Sequence, residues 1–169
     1  NDGNRGFTPK SAKRTLKAAM LVEGLEQGDT VHAARGDYDE GVMADLDRQD
    51  VGTRVIIPDG ITLLADEGRD VTFISGANAT NNVDQYGCGD GAVSCVILGR
   101  NSVLDGFTLR NGRAKTVTVE KWWDSRASGV ASHSRSNNSE CRDCIVTNCV
   151  CYEDTCYQTA LNRCLIVGN

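Results

Sequence analysis

Residues 164–169 (CLIVGN) repeat the pattern of residues 144–149 (CIVTNC) at a distance of 20 residues, and residues 107–112 (FTLRNG) repeat it more loosely. This spacing suits one turn of a stacked β architecture, in which each repeat buries its apolar face only against its neighbours. The repeat therefore predicts a solenoid. It also predicts that the open face after Asn169 is covered, either by the remainder of a longer chain or by self-association with another copy.

Short runs of four to six residues, each with β-branched members and each closed by Gly, Asn or Asp, follow one another from residue 30 onward. The runs lack the Asn-Gly and Asp-Gly turns of antiparallel hairpins, which favours coils whose strands stack in parallel. Alternation within the runs predicts an inner face that includes Phe107 and Leu109, and likewise Val71 and Phe73. The predicted fold class is all-β, with about four coils.

The N-terminal region has a different pattern. Thr8 followed by Pro9 reads as an N-cap with proline at the first helical position, and apolar residues then recur at helical spacing up to about Leu25. We interpret residues 1–27 as a cap with a short amphipathic α-helix that covers an open end of the solenoid. Residues 28–169 then form the coils, with excursions at 39–52 and 114–138, where binding is most expected.

Charge and hydropathy exclude two classes of partner. The chain has 23 acidic and 18 basic residues, a formal net charge of −5, and it lacks the broad basic surface that nucleic acid requires. No apolar run approaches the roughly 20 residues needed to cross a bilayer, and the start at Asn1 shows no signal-peptide pattern. We expect a mature or excised chain that neither spans a membrane nor binds nucleic acid.

Eight cysteines are a high number for 169 residues, and six of them lie in the last 29. Such density indicates disulfides and an oxidising compartment, although stacked free thiols and a metal site at Cys141-x-x-Cys144 remain alternatives. Cys88 and Cys95 flank a Gly-rich turn and form the first predicted pair. Cys144 and Cys164, if in register, would lie about 4.8 Å apart on adjacent strands and form a second pair.

Three segments of the chain resemble one family. They are NDG at residues 1–3, SAKRTLKAA at residues 11–19 and GDTVHAARGDY at residues 28–38. Together with ITLL at residues 61–64 and SVLDGFTLRNG at residues 102–112, they resemble the bacterial secreted right-handed parallel β-helix proteins of the pectate-lyase-like superfamily. The resemblance implies a right-handed parallel β-helix that is extracellular or displayed on the cell surface, with the signal sequence absent from this chain. It does not imply an activity, because the superfamily includes lyases, hydrolases and adhesins.

The longer excursion contains the strongest functional motif. Trp122 and Trp123 stand beside Glu120 and Asp124, and flat aromatic faces next to carboxylates are typical of a sugar-binding platform. The alternative is that the two indoles fold over the coils and hold the loop in place. Glu120 and Asp124 are also the candidate catalytic residues, because Asp90 and Asp105 read as turn-forming or solvated.

Two functions are consistent with these patterns. The first is an extracellular structural or adhesive β-solenoid module that binds a glycan or protein, either stacking with copies of itself into a fibre or forming part of a larger surface protein. In this reading the chain needs no cofactor or metal. The alternative is a fragment of a polysaccharide lyase or glycoside hydrolase that acts on an extracellular glycan, with Ca²⁺ as the cofactor of the lyase version.

Overall fold

The computed structural model describes residues 1–45, 51–115, 128–132, 138–151 and 155–169. The helices are one 3-10 turn (Pro9–Ser11) and one α-helix, α1 (Leu16–Met20). The strands of the described residues are β1 (Thr30–Ala33), β2 (Gly36–Tyr38), β3 (Met43–Asp45), β4 (Val51–Ile57), β5 (Thr62–Ala65), β6 (Thr72–Ser75), β7 (Val93–Leu98), β8 (Val103–Asp105), β9 (Thr108–Arg110), β10 (Val130–Ser132), β11 (Glu140–Arg142), β12 (Ile145–Thr147), β13 (Cys156–Tyr157), β14 (Ala160–Asn162) and β15 (Leu165–Val167).

The strands form three five-stranded sheets, and the chain visits the sheets in a fixed rotation. Sheet A has the order β1-β5-β8-β11-β14, sheet B the order β2-β6-β9-β12-β15, and sheet C the order β3-β4-β7-β10-β13. Among the strands named above, all pairings are parallel except that of β3 with β4. The mostly-β prediction with parallel strand pairing is confirmed.

Each sheet carries a column of buried side chains, with one residue from each neighbouring strand in register. The columns are Leu63, Leu104 and Cys141 in sheet A, Ile74, Leu109 and Val146 in sheet B, and Val55, Val96 and Val130 in sheet C. All nine side chains are at most 1% exposed and belong to one hydrophobic cluster. Full burial of a valine, leucine or isoleucine contributes about 1.5–3 kcal/mol, so these columns are a main source of stability.

Strand β6 contradicts one part of the predicted inner face. The structure buries Thr72 and Ile74, whereas Val71 and Phe73 are only half-buried. Phe73 lies under the guanidinium of Arg110, which is 4.3 Å from the ring centroid. The predicted alternation is correct but its phase is wrong by one residue, because a polar residue, Thr72, occupies an inner position.

At the corner after sheet B, residues with left-handed backbone conformation occupy equivalent positions in successive rows. Asn111, Asn148 and Gly168 have φ angles of 56°, 48° and 62°. Glycine and asparagine tolerate this conformation better than other residues, which explains the residue types at this corner. The amide of Asn148 also donates a hydrogen bond of 2.7 Å to Oδ1 of Asn111, so neighbouring corners are joined by their side chains.

The N-terminal helix is shorter than predicted. Thr8 makes no side-chain capping bond to a backbone N–H, and the α-helix is capped instead by Thr15, whose Oγ1 accepts a hydrogen bond of 3.1 Å from the Ala18 N–H. The carboxylate of Asp2 accepts bonds of 2.8–2.9 Å from the N–H and the hydroxyl of Thr15. These bonds lower the pKa of Asp2. A contact 13 residues away in sequence therefore fixes where the helix begins.

Helix α1 nevertheless packs on the strands. Leu16 and Met20 are buried in the same cluster as Val55 and Ile57 of β4. The predicted excursions also contain regular structure, since β3 and the start of β4 fall within residues 39–52 and β10 falls within residues 114–138. Within the described part of the chain, no helix is long and apolar enough to cross a membrane.

Candidate functional site

Three connections, of which only residues 76–92 are described in full, leave sheet B at the same edge. Strands β6, β9 and β12 are parallel neighbours, and each is followed by a connection to a strand of sheet C. Parallel strands end at one edge of a sheet, so the loops that follow them lie side by side. We call the described residues 76–92, 111–115, 128–129 and 148–151 the loop face.

The connection at residues 76–92 is braced by its own hydrogen bonds. Antiparallel bridges join Ala77 to Val93 and Asn81 to Asp90. Oδ1 of Asp84 accepts bonds of 2.8 Å from the backbone N–H groups of Tyr86 and Cys88. Such self-bonding turns hold a loop in one shape without a hydrophobic core of its own.

This braced loop exposes an aromatic ring and an aliphatic side chain. Tyr86 is 59% exposed and Val83 is 52% exposed, with the carboxylate of Asp84 between them in sequence. An exposed aromatic ring beside acidic and amide groups offers a ligand both an apolar face and hydrogen-bonding partners. Sequence reasoning missed Tyr86, although an Asp two residues before an aromatic residue and a glycine after it could have indicated a turn that presents the ring.

The predicted site residues Trp122, Trp123, Glu120 and Asp124 lie outside the described residues, but the base from which their segment starts is described. Gly112 stands directly against Ser128, and a Cβ on Gly112 would overlap the carbonyl oxygen of Ser128. Gly112 and Ser128, on either side of the Trp-bearing segment in sequence, are therefore in contact. The two ends of that segment meet at one point of the loop face.

Arg113 fixes this base to the next connection. Its side chain is buried, and Nη1 donates bonds of 2.9 Å to the Gly112 carbonyl and 2.5 Å to the Asn148 carbonyl. Ala114 donates a backbone bond of 3.1 Å to Val150 and accepts one of 3.3 Å from Gly89. The buried guanidinium joins two of the connections, and the backbone bond from Gly89 to Ala114 joins the third, so the three form one support.

The structure holds all eight cysteines as free thiols. Sγ of Cys88 lies 3.5 Å from the Val150 carbonyl. Cys95 is fully buried, where burial and the thiol of Cys149 raise its pKa. The two predicted partners, Cys88 and Cys95, thus have different surroundings here, and their disulfide stays a prediction. The thiol of Cys164 does influence the pKa of Cys144, but Cys141 belongs to the same group of thiols and lies 3.9 Å from Cys164, sulfur to sulfur.

The outer face of sheet A carries described carboxylates that could be considered for catalysis. Glu140 is paired with Arg142 at 2.6 Å, and Asp143 forms a two-bond ion pair with Arg163. Partial burial and the nearby charge of Asp143 raise the pKa of Asp105. Glu140 and Asp143 are therefore both engaged by arginines.

The N-terminal segment and strand β1 line a partly open cavity of about 690 Å³. Apolar side chains of the cap, among them Phe7 and Leu25, line one side, and β1 lines the other. His32 Nδ1 lies 2.6 Å from Asp66 Oδ1 at the rim. Sequence reasoning did not predict this cavity, because it depends on how the cap folds against β1.

No protein-family model matches the chain, and neither the curated proteins nor the solved structures include a significant match. The resemblance to the secreted parallel β-helix proteins therefore stays a prediction. Among the residues that the structure describes, no group of three or more His, Cys, Asp or Glu side chains is arranged to hold a metal ion.

Proposed function

We propose that the chain is a right-handed parallel β-helix that acts outside the cell as a structural and adhesive module, presenting its loop face to a glycan. The observation that carries the proposal is the fixed rotation of the chain through three parallel sheets, with buried columns in register. Parallel strands joined by crossover connections are right-handed in about 98% of cases, which supports the handedness. The eight cysteines support an extracellular setting.

The loop face supports the adhesive part of the proposal. Its three connections are fixed to one another by backbone bonds and by buried Arg113, so a ligand would meet a preorganised surface. Tyr86 is exposed on this surface, and the segment that contains Trp122 and Trp123 in sequence is joined to it at Gly112 and Ser128. Stacking of these rings on sugar faces would supply affinity, and Asp84 and Asn82 would supply hydrogen bonds to hydroxyl groups.

The test is native affinity electrophoresis in gels that contain polygalacturonate, xylan or dextran. We expect at least one of these polysaccharides to retard the chain, and we expect the double variant W122A/W123A to lose about tenfold or more in affinity. Both tryptophans of the chain lie in this motif, so intrinsic fluorescence provides a second readout that should shift on addition of the same polysaccharide.

Phe73→Ala is the matched control, because Phe73 is an aromatic residue on the outer face of sheet B rather than on the loop face. It should be retarded like the unmodified chain. Equal mobility in all three gels and in their absence would contradict glycan binding. Release of unsaturated sugar ends from polygalacturonate in the presence of Ca²⁺ would contradict a purely adhesive role and favour the lyase alternative.

The C-terminal edge supports the structural part of the proposal. Strands β13, β14 and β15 are the last strands of their sheets, and Leu161, Leu165, Ile166 and Val167 are each 41–49% exposed there. At the opposite end of sheet A, β1 is the terminal strand and borders the apolar cavity. The occupant that we propose is a second copy in a head-to-tail contact, which requires the N-terminal cap to sit beside the β1 end rather than across it.

Sedimentation velocity combined with negative-stain electron microscopy tests this contact. We expect filaments or concentration-dependent oligomers, and we expect Leu165→Lys with Val167→Lys to abolish them, because unpaired charges on an edge strand oppose strand pairing. The same two-lysine change at Thr62 and Leu64 is the control for added charge alone, because their strand, β5, is paired on both sides, with β1 and with β8. Monodisperse monomers at all concentrations would contradict self-stacking.

A further inference from the structure

Three cysteine side chains meet close to the C-terminal edge. Cys141 belongs to β11, Cys144 follows β11, and Cys164 lies between β14 and β15. Sγ of Cys164 is 3.9 Å from Sγ of Cys141. Cys144 is close enough to both that its pKa depends on their thiols, so the three side chains form one cluster. Cross-strand thiols at this distance need only a small side-chain movement to reach the 2.03–2.05 Å bond length of a disulfide.

The members of the cluster differ in access to solvent. Cys141 and Cys144 are fully buried, whereas Cys164 is half-buried at the uncovered edge. Hydrogen bonds from the thiols of Cys141 and then Cys144 lower the pKa of Cys164 to about 3. Cys156 is also half-buried, but burial raises its pKa to about 12. Thiolates rather than thiols react with disulfides, so Cys164 combines access with reactivity.

We propose that Cys164 and Cys141 are a redox-active pair that forms a disulfide between the last two rows of strands, by exchange with a small-molecule disulfide. The thiolate of Cys164 attacks one sulfur of the external disulfide, forms a mixed disulfide and releases one small thiolate. Cys141 then loses its proton and attacks Sγ of Cys164, which releases the second small thiolate. Two protein thiols are oxidised, and one external disulfide is reduced to two thiols.

The pair differs from both bridges that the sequence suggested. Cys144 is in the same cluster. In the pairing of β11 with β14, Cys141 faces Leu161, so Cys164 reaches Cys141 from three residues further along the chain. The new bond would close a span of 23 residues and would fix β14 and β15 to the row before them. The reaction requires an uncovered C-terminal edge, so we expect it in the monomer rather than in copies that stack through this edge.

Trypsin provides a direct test, because cleavage after Arg135, Arg142 and Arg163 places the three cysteines on separate peptides. The reduced protein is treated with oxidised glutathione, alkylated, digested and examined by mass spectrometry. We expect a linked pair of peptides 136–142 and 164–169, and an increase in Tm of roughly 5–10 °C over the reduced protein. Before oxidation, iodoacetamide at pH 7 should label Cys164 about tenfold faster than Cys156.

Cys164→Ser should lose both the link and the fast labelling, while Cys156→Ser, the matched half-buried control, should keep them. The decisive measurement, the linked pair of peptides, is made on the unmodified chain, so the test does not depend on whether the variants fold. A link between peptides 143–163 and 164–169, a glutathione adduct that persists on Cys164, or the absence of any linked peptide would each overturn the proposal. None of these outcomes depends on glycan binding, which is measured on the loop face.

Discussion

Phe107→Ala should lower the free energy of unfolding by about 3–5 kcal/mol, the range observed when a large aromatic side chain is removed from a core. Phe107 has no exposed surface and is the largest side chain among the fully buried residues. It precedes β9 at the turn between sheets A and B, and its carbonyl accepts a bond of 2.9 Å from the Ile145 N–H in the next row. A cavity here cannot be filled by neighbours that are themselves fixed in register.

Urea unfolding monitored by circular dichroism measures the effect, and Phe73→Ala provides the control. Phe73 is the same residue type, half-buried on the outer face, where its contact with Arg110 is worth about 0.5–1 kcal/mol. We expect a difference of at least about 2 kcal/mol between the two variants. Equal losses would show that the inner and outer faces have been assigned incorrectly.

Gly112→Ala should lower the free energy of unfolding by about 3 kcal/mol, at the upper end of the cost of overpacking. The added Cβ would overlap the backbone of Ser128 and come within 3.1 Å of Sγ of Cys95. The φ angle of Gly112 is not in the left-handed region, so the cost is steric rather than conformational. Ser128 belongs to the base of the loop face and Cys95 belongs to β7, so neither neighbour can move far to make room for the added Cβ.

The control is Gly3→Ala, because the nearest heavy atom to a Cβ on Gly3 is 3.5 Å away. It should change stability by less than about 0.5 kcal/mol. Urea unfolding again gives the free energy, and tryptophan fluorescence in the folded state should change only in Gly112→Ala, because both tryptophans lie between Gly112 and Ser128 in sequence. Unchanged stability in Gly112→Ala would show that Ser128 does not pack against Gly112.

The sequence predicted the stacking better than the details of each row. The 20-residue repeat of residues 144–149 and 164–169 corresponds to the in-register pairing of β12 with β15, in which Ile145 faces Leu165. This pattern is visible because identical positions in successive rows have the same neighbours. The phase of β6 was not visible, because Thr72 is polar and an inner position is usually apolar.

Features that depend on contacts between distant residues were also missed. The start of α1 is fixed by Asp2, 13 positions before Thr15, and a helix propensity cannot show such a bond. The surroundings of the cysteines depend on which rows are neighbours, so Cys141 and Cys164 were not paired by sequence spacing. Tyr86 was overlooked because an isolated aromatic residue in a turn has no periodic pattern.

For residues 1–169 taken alone, without a second copy at the C-terminal edge, the unequal ends of the sheets predict where unfolding begins. A row in the middle of the stack is held on both sides, whereas β14 and β15 are held on one side only and expose much of their apolar surface. In a structure whose rows contact only their neighbours, opening begins at the weakest terminal row and advances inward. The Cys141–Cys164 pair lies across that first step, so its oxidation would slow fraying at the edge where fraying starts.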